Sequence, residues 1–140
     1  MSAWRRVALA KMPKCRRQIE KADNIMMLWI DLWLEFERAY QGTMDEELIA
    51  SVYSYASWCL AHSNNSDLQT AAIVRFYEHL PRNEAIRKDL PNRLTRADFL
   101  GLKEVFKYFL SEEEHREFVS EFLEQADRRL TQAFAKKKKD

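Results

Sequence analysis

Apolar residues recur along this chain at steps of three and four, the spacing that lines one face of an α-helix. From residue 25 onward Ile25, Leu28, Trp29, Leu32, Trp33, Phe36 and Tyr40 form a broad stripe. The stripe predicts a deeply docked helix that begins after Asn24, ends before Gly42 and carries Trp33 in the middle of its buried face. Thr43 followed by Glu46 has the pattern of a capping box, in which hydroxyl and carboxylate satisfy amide donors that the first helical turn leaves unpaired. A second helix is expected there, with Leu48, Ile49, Val52, Tyr53, Ala56, Cys59 and Leu60 inward, until the polar run 62–66 ends it. Ser66 with Gln69 repeats the capping pattern and opens a third stripe of Leu68, Ala72, Ile73, Phe76, Tyr77 and Leu80, stopped by Pro81.

Between Pro81 and Pro91 there is room for one short helix, capped by Asn83 and turning Ile86 and Leu90 inward. Thr95 with Asp98 marks the next start, with Phe99, Leu102, Phe106 and Phe109 as its core positions and Val105 beside them. Ser111 with Glu114 opens the last helix, whose stripe of Phe118, Val119, Phe122 and Leu123 fades toward Leu130. The predicted fold is therefore all-α, a compact helical bundle of about five main helices with short connections.

Residues 1–24 break the pattern, because Pro13 interrupts them and no stripe is sustained. They read as a basic N-terminal extension, at best partly helical and dispensable for folding. The competing arrangement is a docked helix from about Cys15 that joins the body through Ile19 and Ala22. The expected organisation is thus an extension over 1–24, a single helical domain over 25–135 and a lysine-rich tail over 136–140.

Composition supports the helical reading, since two Gly and three Pro among 140 residues leave few of the residues tight β-turns require. An apolar fraction of 46% with 12% aromatics is too rich for a disordered chain. Asp31, Glu35 and Glu37 interrupt the most hydrophobic stretch, so no membrane span is expected. Lys11, Lys14, Arg16 and Arg17 likewise cut short any signal-peptide-like apolar region. Cys15 and Cys59 are too few for a disulfide framework and read as reduced thiols of a cytoplasmic protein. The net charge of +1 is unevenly spread: residues 25–135 hold 12 basic and 19 acidic side chains, and both ends are basic. An acidic body repels phosphate, which disfavours nucleic-acid binding by anything but the basic termini.

Candidate chemistry is sparse. Cys59 and His62 have C-x-x-H spacing, but structural zinc needs two such pairs, and a small core thiol beside a helix C-terminus accounts for both. Glu112 and His115 make one E-x-x-H pair where a di-iron bundle needs two, and carboxylates are favoured in a first helical turn without further function. Neither a phosphate loop nor a dinucleotide fingerprint is present, and no cofactor or metal is expected. A low-ranking polar site would bring Tyr53, Glu78 and His79 together between helices. The remaining signal is a surplus of aromatic residues. Tyr55, Trp58 and Tyr108 fall off or at the margin of their stripes, and partly exposed Tyr and Trp are enriched in protein interfaces.

The segments LWIDLWLEFERAY, YSYASWCLA, AAIVRFYEHLPRN and FKYFLSEEE together resemble small bacterial proteins to which no activity is attached, over roughly residues 25–123. The resemblance implies an intracellular all-helical domain and transfers no site residue. The functional expectation is a non-catalytic protein–protein interaction module of the bacterial cytoplasm, in the manner of a small immunity protein that engages a toxin. The alternatives are a small helical enzyme or ligand-binding protein with a pocket near Glu78 and His79, and nucleic-acid binding through the basic ends.

Overall fold

The computed structural model describes residues 1–62 and 64–139; Ser63 of the polar run and Asp140 of the tail lie outside the described residues. The fold is all-α. Among the described residues there are eight α-helices and no strand, in place of the expected five main helices, because the N-terminal segment and the proline-bounded stretch add short helices of their own. The chain divides into two units, 1–80 and 81–140, so the domain expected over 25–135 crosses the division at Leu80 and Pro81.

In the first unit, α1 (Ala3–Lys11), a 3₁₀ turn (Pro13–Cys15) and α2 (Arg16–Lys21) precede the long helices. This corrects the extension expected over 1–24. Ala8, Met12, Cys15, Ile19 and Ala22 are buried, at steps of three to four that continue across Pro13. The proline sits at the start of the 3₁₀ turn, where its missing N–H costs no helical bond. Arg5 locks the arrangement: its guanidinium donates to the carbonyls of Ile19 at 2.6 Å, Glu20 at 3.0 Å and Ala22 at 2.8 Å, acceptors that the end of α2 leaves over.

Next come α3 (Ile25–Ala39), α4 (Glu46–Ala61) and α5 (Ser66–Arg75), with a 3₁₀ turn (Tyr77–Arg82) after them. Asn24 caps α3 by accepting from the Met27 amide at 2.9 Å. The other two caps are displaced from expectation: Asp45 rather than Thr43 caps α4, and Asn65 rather than Ser66 caps α5, each accepting from amides two or three residues on. In both cases a competing Asx side chain stands one or two positions away and wins. The core is aromatic and centres on Phe76, whose ring lies 5.0 to 6.0 Å from those of Trp29, Trp33, Phe36, Tyr53 and Tyr77. Trp29 is wholly buried, whereas Trp33, expected mid-face, is only partly buried at the margin.

The second unit contains α6 (Glu84–Asp89), a 3₁₀ turn (Leu90–Asn92), α7 (Arg96–Gly101), another 3₁₀ turn (Val105–Lys107) and α8 (Glu112–Lys139). Its caps match the sequence reading. Asn83 accepts from Ile86, Thr95 accepts from Asp98, and Ser111 and Glu114 complete a reciprocal capping box at 3.1 and 2.9 Å. Phe99, Phe106, Phe118 and Phe122 form the core, with Phe99 stacked on Phe122 at 3.7 Å. Helix α7 ends at Gly101, five residues before Phe106, so the expected continuous stripe breaks and Phe109 lies exposed.

Candidate functional site

The three aromatics expected at a surface separate in the structure. Tyr55 is a core residue, with no exposure, and its hydroxyl donates to the Trp4 carbonyl at 2.8 Å. The reason is α1: it packs on α4 and covers the side that the sequence reading left open. Trp58 is partly buried, stacked on Tyr55 and set 4.0 Å from the ring of His62. Tyr108 alone is well exposed, at 71%, with its ring edge against Phe109.

Tyr53 and His79 both belong to the aromatic cluster. The Tyr53 ring meets Phe36 and Phe76 edge-on, and the His79 ring lies 5.4 Å from Trp33. Desolvation raises the Glu78 carboxyl above its ordinary pKa. Packing around Phe76 thus accounts for where Tyr53 and His79 stand.

His62 Nδ1–H donates to the Trp58 carbonyl at 2.8 Å, and Cys59 is buried in the stripe of α4. Burial pushes the Cys59 thiol up to about 12 and the Cys15 thiol up to about 11, which leaves both protonated and unreactive at neutral pH. His115 is also buried, its Nε2–H donating to the Lys103 carbonyl at 2.8 Å, which ties the start of α8 to the turn after α7. It lines an open groove of about 500 Å³ together with Lys103, Lys107, Glu112, Arg116, Ser120, Val119 and Leu123.

Four of the seven basic side chains in residues 1–24 are engaged within the fold. Arg5 holds α2, Lys11 donates to the Ser54 hydroxyl, Lys14 pairs with Asp45 and Glu47, and Arg16 pairs with Glu20.

The feature that sequence reasoning missed is on α3. Eleven of its fifteen residues are apolar, more than one face can hold. The inner face buries Leu28, Trp29, Leu32 and Phe36, while Met27, Ile30 and Leu34 are 44%, 44% and 48% exposed on the opposite side. These three stand at i, i+3 and i+7, one stripe two turns long with Met26 and Trp33 partly exposed on its flank. A helix that is apolar all round is ordinarily buried all round, so the outer stripe of α3 lacks the cover its composition demands. The signal was present in the sequence as a second 3,4-spaced set interleaved with the first.

No protein-family model, no curated protein and no solved structure matches this chain. Among the described residues no helix is long and apolar enough to cross a membrane.

Proposed function

We propose that this chain is a non-catalytic protein-interaction module whose docking surface is the outer face of α3. The observation that carries the reading is the exposure of Met27, Ile30 and Leu34 on a helix whose other face is the aromatic core. Large apolar side chains at helical spacing on a rigid element bury area without ordering a loop, which is how helix faces engage partners. The bacterial cytoplasm, and a partner relation of the kind small immunity proteins have with toxins, belong to this proposal. The compartment draws support from two buried free thiols, the state that a reducing interior keeps.

Capture from native lysate on immobilised chain tests it. Wild-type protein should retain a stoichiometric partner that Ile30→Glu protein, equally folded, releases. Equal retention by both, or by neither, would refute the assignment of the surface.

One observation favours a second reading. The groove beside His115 sets Lys103, Arg116 and Lys107, the last paired with Glu104, around an apolar wall of Val119 and Leu123 with one carboxylate, Glu112, a lining whose cations outnumber its acid and that suits a small anion with a hydrocarbon part. Calorimetric titration with a medium-chain acyl carboxylate tests it, and heats unchanged by Arg116→Ala would count against it.

A further inference from the structure

We propose that the occupant of the α3 face is a second copy of this chain, bound through the terminal half of its α8; this rests on reading α3 as the docking surface and names its partner. Helix α8 runs 28 residues, about 42 Å, yet among the described residues the last that it buries is Phe122. Beyond that, Arg96 pairs with Asp127 at 3.0 Å and Arg129 donates to the Pro91 carbonyl at 3.2 Å. Past Arg129 the helix continues for ten residues, in which the side-chain hydrogen bond described, Thr131 to the Asp127 carbonyl, stays within α8. A helical end of that length is marginal in water without a surface to lie on.

That end carries an apolar seam. Leu130 and Phe134 are 54% and 64% exposed, and with Leu123 and Ala126 they stand at steps of three, four and four, which keep them on one side of the helix. The outer stripe of α3 has the same steps, Met27 to Ile30 to Leu34. Two short seams of matched spacing, both uncovered, are present in one chain.

Charge decides which seam meets which. Asp23, Asp31 and Glu37 border the α3 stripe and have no ion-pair partner among the described residues, while Lys136 and Lys137 at the end of α8 have none either. Pairing α3 with α3 would set acids against acids, pairing α8 with α8 in parallel would set lysines against lysines, and pairing α8 with α8 antiparallel would leave the α3 acids without a partner. Pairing α3 with α8 joins opposite charges, and each copy offers one seam of each kind to another copy.

Sedimentation and light scattering of the full-length chain, from low micromolar to several hundred micromolar, test this. Mass should rise with concentration from the 16.7 kDa of one chain toward twice that value, and added salt should shift the rise to higher concentration. Ile30→Glu and Phe134→Glu, both at exposed positions, should each abolish the rise while matching the helicity and melting of the wild-type chain at low micromolar concentration, where that chain is itself monomeric. Copies carrying Ile30→Cys mixed with copies carrying Leu130→Cys should form a mixed disulfide faster than either variant cross-links with itself. A monomer at every concentration overturns the proposal, and if Ile30→Glu still abolishes lysate capture, the docking reading of α3 stands without it. Preferred self-linkage of the Ile30→Cys copies, or a dimer indifferent to Phe134→Glu, also overturns it.

Discussion

Replacing Arg5 with alanine should be among the most destabilising single changes at any charged position in the first unit. Its guanidinium holds three carbonyls at once, those of Ile19, Glu20 and Ala22, and the contacts to Ile19 and Ala22 are part-buried. Hydrogen bonds from a charged donor contribute about 1.5–3 kcal/mol each, and a part-buried carbonyl left without a donor regains only some of that from water. The Glu20 contact is exposed and contributes little, so the expected loss is about 2–4 kcal/mol. Arg5→Lys should recover less than half, since one ammonium cannot bridge three acceptors that a planar fork spans. Arg6→Ala, at an exposed position one residue on, should stay within about 0.5 kcal/mol. The assay is urea unfolding followed by tryptophan fluorescence, because Trp4, Trp29, Trp33 and Trp58 all lie in residues 1–80 and report that unit alone. Equal midpoints for Arg5→Ala and Arg6→Ala would refute the reasoning and return residues 1–22 to the status of a dispensable extension.

Trp29→Ala should cost about 3–5 kcal/mol by the same assay and Trp33→Ala distinctly less, since only the first ring is wholly enclosed; the reverse order would place the wrong tryptophan in the core. Ser111→Ala should lower the stability of the second unit by about 0.5–2 kcal/mol in a urea titration followed by circular dichroism, and an unchanged midpoint would mean that the capping box contributes nothing. The hydrogen bond from the Ser111 amide holds the Glu114 carboxyl below its ordinary range, so the native state binds its proton less readily than the unfolded chain. That contribution is complete above the ordinary carboxylate pKa and is lost as pH falls through the lowered value, so Glu114→Gln should flatten the acid limb of midpoint against pH. Cys15 and Cys59 should resist a disulfide reagent in native protein at pH 8 and react in urea, and rapid native labelling of either would contradict its burial.

The long helices and their inward faces were legible because a single period governs them: the apolar sets expected for residues 25–40 and 48–60 are those the core contains, apart from Trp33 and Leu60 at its margins. Of the N-terminal helices α2 was legible only as the alternative from about Cys15 through Ile19 and Ala22, and α1 was not, because Ala8, Met12, Cys15, Ile19 and Ala22 are small or moderate side chains whose stripe is spread over three short elements, and Pro13 reads as a breaker when it stands at a turn. That one misreading produced another, since without α1 over it Tyr55 looks like a surface residue. Helix starts were legible where one capping residue stood alone, as at Thr95 and Ser111, and shifted where a stronger Asx side chain stood nearby, as at Asp45 and Asn65. The outer face of α3 escaped because its apolar residues were assigned to one broad stripe, and only the packing of the inner set shows that Met27, Ile30 and Leu34 were left out of it.

If α3 is a docking surface, its outer face is covered in the cell. A photoreactive benzoylphenylalanine placed at Ile30 in the full-length chain, expressed in its native host and irradiated there, tests this with no assumption about the partner. Adducts heavier than the 16.7 kDa chain should form at position 30 and be absent when the same group is placed at the exposed Ala50 on α4. A chain that stays unlinked at position 30, or links equally from both positions, would contradict the claim that α3 is a docking surface.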